Sequence, residues 1–195
     1  HQVVPLILKP AQLDFVSTST GHDIVLKGRQ MGFSTLFQAD YLLDAMITPH
    51  LRVVTITQNE DVIPKFMADY HFMWEHLPEI IEIEGVQIRF RSPLVMDNIR
   101  TLTFENGSVI NIFSSGGVKS ARGSPYQRAL LTEVGLWDDE FAADVKAAVV
   151  GSMPPTDVKI VLESTAHGRE GMFWEEWNRA LNGDSLYRPH FYHWS

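Results

Sequence analysis

The stretch Lys27-Gly28-Arg29-Gln30-Met31-Gly32-Phe33-Ser34-Thr35 separates the apolar run Asp23-Ile24-Val25-Leu26 from a helix-like segment between Leu36 and Met46. The apolar run predicts a buried strand, and the apolar residues at helical spacing beyond the stretch predict a helix with one buried face. A strand, a glycine-containing turn and a helix start direct backbone N–H groups and the helix dipole at one anion. The alternative is an ordinary connection in which Lys27 and Arg29 are solvated. The stretch by itself favours neither interpretation.

The stretch departs twice from the usual phosphate-binding pattern G-x-x-x-x-G-K-S/T when Gly32 and Ser34 are aligned with it. Phe33 stands at the position of the usual lysine, and Lys27 stands at the position of the first glycine. A lysine at the head of the loop can still reach across the turn to a terminal phosphate. We therefore interpret the stretch as an altered P-loop whose positive charge has moved from its end to its beginning.

The composition indicates one globular, soluble domain. The chain has 195 residues, 45% of them hydrophobic and 21% charged, which is enough to bury a core. No apolar run has the length of a membrane span, and the N-terminus lacks the pattern of a targeting signal. The absence of cysteine excludes disulfides and cysteine-ligated metals. The net charge of −8 argues against a basic, DNA-coating surface, so any contact with nucleic acid must be local.

Alternating strand and helix patterns predict a doubly wound α/β sheet. Buried parallel strands are predicted at 23–26, 52–57, 128–133 and 158–163. Helices are predicted at 11–17, 36–46, 62–76 and 139–149. Short alternating runs at 86–90, 100–104 and 108–113, with a turn at Asn106-Gly107, predict an antiparallel hairpin region attached to the sheet. Ligands of such sheets bind at the carboxyl ends of the parallel strands.

The strand at 128–133 ends in Thr132-Glu133. In P-loop ATPases the strand beside the loop usually ends in Asp-Glu, where the aspartate holds Mg²⁺ and the glutamate orients the attacking water. Thr132 replaces that aspartate, so Glu133 is the stronger candidate, although a glutamate at a strand end is most often only solvated. After the strand at 158–163, Ser164 and Thr165 begin a small polar segment at the same edge, and its alternative interpretation is simple turn chemistry.

Two other segments are weaker candidates. Gln12 precedes the first strand, and its carboxamide carries the donor and the acceptor that match the Hoogsteen edge of adenine. The Gly/Ser-rich stretch 114–126 carries Lys119 and Arg122, and we interpret it as a mobile loop that meets phosphates or a neighbouring subunit. The alternatives are a solvated surface glutamine and a solvated connector.

Four segments in this order resemble the ATPase domain of tailed-bacteriophage large terminase subunits, the motors that package DNA. They are Lys9-Pro10-Ala11-Gln12 as the Q motif, Lys27 to Thr35 as Walker A, Leu130 to Glu133 as Walker B, and Glu163 to Gly168 as the coupling motif. The resemblance implies a single ATPase domain over residues 1–195, with a P-loop fold of the ASCE type. That fold has a central, mostly parallel sheet flanked by helices. The family's C-terminal nuclease domain is expected to lie outside this chain.

The resemblance also implies residue roles. Gln12 contacts adenine, Lys27 and Arg29 attend the phosphates, and Ser34 ligates Mg²⁺, with Thr132 as a weaker metal candidate. The other residues that would line the nucleotide site are Gly28, Gln30, Met31, Gly32, Phe33 and Thr35.

Three further roles concern catalysis and coupling. By the same resemblance, Glu133 positions water, while Ser164 and Thr165 couple hydrolysis to motion. Arg122 is the candidate for a finger that reaches a neighbouring subunit's nucleotide, and Arg29 is its rival in cis.

The implied function is hydrolysis of ATP with Mg²⁺, driving double-stranded DNA into a procapsid. The implied partners are DNA, the portal protein, the terminase small subunit and further copies of the chain in a ring, without a membrane. The implied place is the portal vertex in the host cytoplasm. Two alternatives stay open: a helicase-like remodelling ATPase, and a non-hydrolysing P-loop scaffold that docks DNA or portal.

Overall fold

A computed structural model describes residues 5–121 and 123–193, which form ten strands and five α-helices. The strands are β1 (His22–Lys27), β2 (Arg52–Thr57), β3 (Ile80–Ile83), β4 (Val86–Arg89), β5 (Leu94–Asn98), β6 (Thr101–Phe104), β7 (Val109–Ser114), β8 (Arg128–Thr132), β9 (Lys159–Ser164) and β10 (Arg188–Tyr192). The helices are α1 (Pro10–Thr18), α2 (Phe33–Ile47), α3 (Ile63–His76), α4 (Asp139–Ala148) and α5 (Gly171–Leu181). Among these helices, none is both long and apolar enough to cross a bilayer.

Eight strands form one sheet in the order β10-β1-β9-β8-β2-β7-β6-β5, and β3 and β4 form a separate antiparallel pair. The pairs from β10 to β7 are parallel, and β6 and β5 continue the sheet antiparallel. The predicted fold class, a mostly parallel sheet with an attached antiparallel region, is therefore confirmed.

The predicted helices and strands are present, but the sequence analysis missed four elements and misjudged one adjacency. The missed elements are β3, β5, α5 and β10. Strand β3 is largely exposed and shows no alternating burial, and β10 contains Pro189, which only an edge strand tolerates easily. The strand with the Walker B pattern, β8, does not lie beside β1, because β9 pairs with both of them.

The Gly/Ser-rich segment also differs from the expected mobile loop. Ser115–Ala121 forms a 3₁₀ helix in which Val118 is buried. Ser115 Oγ donates a hydrogen bond to the carbonyl of Gln58 at 2.9 Å, which fixes the start of the segment. Arg122, the proposed finger, lies outside the described residues.

The core has two layers, one on each face of the sheet. Helices α1, α2 and α3 cover one face and α4 and α5 cover the other. Neighbouring residues of a strand point to opposite faces, so Val25 packs under α2 while Ile24 packs in the layer of α5. Because the parallel strands are buried on both faces, polar side chains collect where the strands end, at the carboxyl edge of the sheet. At this edge β1, β8 and β9 end in Lys27, Thr132 and Ser164.

Candidate nucleotide site

The loop between β1 and α2 has the predicted strand-turn-helix geometry. Gly32 caps α2 with φ +77°, and Gln30 also has a positive φ, +60°. A Cβ on Gly32 would lie 3.0 Å from Gln12 Nε2, so the position favours glycine both by conformation and by space. The loop therefore curls tightly onto the helix start, as a phosphate-binding loop does.

Phe33, at the usual position of the P-loop lysine, is a core residue. Its side chain is 1% exposed, and its ring stacks on Tyr192 of β10 with centroids 4.8 Å apart. It also meets Phe15 of α1 edge-on at 6.1 Å. Phe33 thus anchors the first turn of α2 to both neighbours, and the positive charges of the loop lie on Lys27 and Arg29.

Lys27 lies at the centre of the site. Its ammonium is 3.1 Å from Glu133 Oε1 and 3.5 Å from Glu163 Oε2. Burial lowers the pKa of Lys27, but the two carboxylates outweigh it and raise that pKa above its ordinary value. The residue therefore stays protonated at the head of the loop.

Glu133 connects the loop to the segment after β9. Oε1 accepts a hydrogen bond from Lys27, and Oε2 accepts two from Thr165, at 3.1 Å from the backbone N–H and 2.9 Å from Oγ1. Burial raises the pKa of Glu133, but Lys27 and Thr165 lower it below its ordinary value. Its backbone has φ +53°, a strained conformation for glutamate that directs functional side chains in many sites.

Glu163 begins the segment that resembles the coupling motif, but the sequence analysis gave it no role in the site. It is 0% exposed, and its Oε1 accepts hydrogen bonds from Ser34 Oγ at 2.6 Å and from Thr132 Oγ1 at 2.7 Å. Burial raises the pKa of Glu163 above its ordinary value against the opposing effect of Lys27. The available signal was a glutamate at the end of a buried strand, in a chain whose Walker B position holds a threonine.

Gln12 and Ser164 hold the loops around the site in place. Gln12 is buried, donates from Nε2 to the Gly32 carbonyl at 2.8 Å, and accepts at Oε1 from the Lys9 N–H at 2.8 Å. Ser164 Oγ accepts from the Gly135 N–H at 3.0 Å and donates to the Thr165 carbonyl at 2.8 Å. An adenine contact by Gln12 stays a prediction.

A cleft of about 570 Å³ opens beside these residues, within the size range of small-molecule sites. It is lined by 26–29, 165–166 and 191–193. Arg29 is exposed on its wall, Gln30 is exposed elsewhere on the loop, Thr35 is exposed in the first turn of α2, and Met31 packs partly against the core.

No protein-family model and no curated protein matches the chain. Solved structures do. The large terminase of bacteriophage HK97 matches with a TM-score of 0.67 and 18% identity, over 96% of this chain and 40% of that one. The large terminase ATPase domain of Thermus phage P74-26 matches with a TM-score of 0.64 and 14% identity, over 95% of this chain and 79% of that one. This chain has the fold of a phage large-terminase ATPase domain.

A third large terminase, from a thermophilic bacteriophage, was solved in complexes with ADP and with ATP-γ-S. Its ADP complex matches with a TM-score of 0.66 and 13% identity, over 97% of this chain and 46% of that one. The chain therefore spans less than half of the HK97 terminase and of this third terminase, but most of the P74-26 ATPase domain. At these identities the terminase likeness is a likeness of fold.

The oxygens gathered at the start of α2 fit the Mg²⁺ of a nucleotide complex. The hydroxyls of Ser34 and Thr132 and the carboxylate of Glu163 are oxygen donors of the kind that Mg²⁺ prefers. In the described part of the chain, no three carboxylate or imidazole side chains form a metal-binding group. Mg²⁺ bound at a nucleotide needs no such group, because it takes most of its ligands from phosphates and water.

Proposed function

We propose that this chain is the ATP-hydrolysing motor domain of a viral DNA-packaging terminase, which drives double-stranded DNA into a procapsid. The observation that carries the proposal is the double contact of Glu133. One carboxylate oxygen faces Lys27 of the loop, and the other accepts two hydrogen bonds from Thr165 in the coupling segment. A single side chain thus joins the phosphate-binding loop to the part of the domain that would move.

Each residue of the site has a defined task in this proposal. Lys27 balances the charge of the terminal phosphates, and the backbone of the loop from Gly28 to Gly32 cradles them. Ser34 would hold Mg²⁺, with Thr132 as a weaker candidate ligand, and the ion when bound would neutralise phosphate charge and orient the nucleotide. Glu133, kept ionised, accepts a hydrogen bond from the attacking water and positions it for attack on the γ-phosphate.

The proposed coupling starts with the loss of the contact between Lys27 and Glu133. When a phosphate takes over the ammonium of Lys27, Glu133 loses one of its partners and is free to turn toward water. Its remaining hydrogen bonds are to Thr165, which is joined through Ser164 to the turn after β8. A change in the orientation of Glu133 is therefore transmitted to the carboxyl ends of β8 and β9 together.

The same proposal includes the wider assembly. The partners are double-stranded DNA, the portal protein, the small subunit and other copies in a ring at the portal vertex in the host cytoplasm. The net charge of −8 keeps DNA contacts local. Arg29, exposed in the cleft, and Arg122 remain the two candidates for the arginine that stabilises the transferring phosphate.

Calorimetric titration of Mg²⁺-ATPγS into this domain tests the proposal. We expect binding in the micromolar range, about −8 kcal/mol. The Lys27→Ala variant should lose this binding, whereas Lys65→Ala, on the exposed face of α3, should retain it. Absence of binding by the parent would contradict the nucleotide site. Unchanged binding by Lys27→Ala would contradict the displaced lysine. Strand unwinding activity would favour a helicase-like ATPase instead.

A further inference from the structure

P-loop ATPases usually carry an aspartate at the position of Thr132, and Glu163 supplies a carboxylate close to that position in this chain. Thr132 replaces the usual aspartate on β8, and the parallel register places Thr132 opposite Glu163 of β9. Neighbouring strands lie about 4.8 Å apart, and glutamate carries its carboxylate one methylene farther than aspartate does. A glutamate on β9 can therefore deliver a carboxylate to the region that an aspartate at residue 132 would reach.

The hydroxyl contacts of Glu163 show which region that is. Its Oε1 is 2.6 Å from Ser34 Oγ, the proposed Mg²⁺ ligand at the start of α2. The same oxygen is 2.7 Å from Thr132 Oγ1, so the threonine fixes the direction of the carboxylate. Glu163 and Ser34 thus present adjacent oxygen donors beside the phosphate-binding loop.

The other oxygen of Glu163 indicates that the site is incomplete. Oε2 is fully buried and has no hydrogen bond among the described residues, and Lys27 Nζ is 3.5 Å away. That ammonium is closer to Glu133, at 3.1 Å, so one cation faces two carboxylates. A buried carboxylate is costly unless each of its oxygens is satisfied, and Glu163 Oε2 has only an ion pair with Lys27 that it shares with Glu133. A divalent cation beside Ser34 would supply the missing partner.

We infer that Glu163 provides the carboxylate of the Mg²⁺ site from β9, in place of the aspartate that β8 lacks, and that Thr132 positions it. The inference rests on the proposed function, because the ion is the one that accompanies the nucleotide. One carboxylate with a loop hydroxyl is the protein contribution that Mg²⁺ bound to phosphates normally receives. A carboxylate on β9 instead of β8 also explains how an ATPase site can tolerate threonine at residue 132.

The Mg²⁺ dependence of ATPγS binding tests the inference, with calorimetry in EDTA and at increasing Mg²⁺ concentrations. Glu163→Gln keeps the shape of the side chain and an acceptor for both hydroxyls. We expect it to raise the Mg²⁺ concentration needed for half of the affinity gain by about tenfold or more. Its affinity for ATPγS in EDTA should not fall below that of the parent, because its proposed contribution to nucleotide binding is through the metal. The double variant Thr132→Asp/Glu163→Gln returns a carboxylate to β8 and should recover most of the Mg²⁺ response.

Glu82→Gln, the same substitution at an exposed position of β3 outside the main sheet, is the matched control and should retain the parent's Mg²⁺ response. An unchanged response in Glu163→Gln would overturn the inference and leave the proposed function standing. A loss in EDTA that the double variant does not rescue would also overturn it, in favour of a structural role. No ATPγS binding by the parent would overturn the proposed function together with the inference. If Glu163→Gln does not fold, Glu163→Asp replaces it with the same expected direction.

Discussion

Strands β8 and β9 carry a group of charged side chains at each end, and the two groups are built differently. At the carboxyl ends, the carboxyl-edge cluster consists of Lys27, Glu133 and Glu163. At the amino ends, the amino-edge cluster consists of Arg128, Lys159, Asp40, Asp44 and Asp157. The first has one cation for two carboxylates, and the second joins its two cations to three aspartates.

The amino-edge cluster is well satisfied. Arg128 Nε donates to Asp44 Oδ2 at 2.5 Å, and its Nη2 donates to Asp157 Oδ1 at 3.1 Å. Lys159 Nζ is 2.8 Å from Asp44 Oδ2 and 3.2 Å from Asp40 Oδ2. These contacts tie the last turns of α2 to the starts of β8 and β9, so the cluster joins three elements of the fold.

This difference indicates that the amino-edge cluster stabilises the fold and that the carboxyl-edge cluster is built to bind a ligand. A charged cluster whose donors and acceptors are all paired has no unsatisfied group to offer a ligand, so its contribution is to the stability of the fold. The carboxyl-edge cluster leaves Glu163 Oε2 without a hydrogen bond among the described residues and lies beside a cleft. It can therefore accept a ligand. Substitutions should act on nucleotide chemistry at one edge and on unfolding at the other.

Replacing Glu133 with glutamine gives the largest expected effect. The amide keeps the shape of the side chain but removes the charge that orients water, so turnover of ATP should fall by about 10²- to 10⁴-fold. Binding of Mg²⁺-ATPγS should persist, because Lys27 and the loop remain. Steady-state phosphate release and calorimetry measure the two quantities on one preparation. Turnover that survives the substitution would remove Glu133 from its assigned role.

At the amino edge, Arg128→Met should lower the free energy of unfolding by about 3 kcal/mol, because it strips the buried partner from Asp44. The value lies at the low end for broken buried pairs, since Lys159 still contacts Asp44. Urea denaturation measures the change. ATPγS affinity should match that of the parent.

Arg89→Met is the control for the loss of an ion pair, because both side chains of its pair with Glu105 are largely exposed and the pair should contribute less than about 1 kcal/mol. An Arg128→Met variant that unfolds like the parent but binds nucleotide poorly would reverse the assignment of the two edges.

The loop and its helix were predictable because their signals are local. An apolar run, a glycine with positive φ and a helical repeat lie next to one another between Asp23 and Met46, and each restricts the backbone on its own. Glu133 and Thr165 were predictable for a related reason, since each directly follows or ends a buried strand. Parallel strands then bring such ends together at one edge.

Glu163 and the amino-edge cluster were not predictable, because their contacts depend on the order of strands. A glutamate that ends a strand is usually solvated, and only the pairing of β9 with both β1 and β8 buries Glu163. Arg128 meets Asp44 across 84 positions in the chain, through the packing of α2 on the sheet. The sequence carries both residues but no local pattern that joins them.

The smallest expected effect is a pH dependence at the amino edge. Burial raises the pKa of Asp44, but hydrogen bonds from Lys159 and Arg128 outweigh it and lower that pKa below its ordinary value. Because the folded-state pKa is depressed, the stabilisation is fully present above the unfolded pKa of about 3.9 and is lost as the pH falls through the folded value. Asp44→Asn should therefore be less stable than the parent at pH 7, and urea denaturation should show the two converging toward pH 3 or below.

Asp61→Asn, an exposed substitution, is the control and should follow the parent throughout. A stability difference for Asp44→Asn that stays constant down to that pH would show that Asp44 stabilises the edge by packing and not by charge.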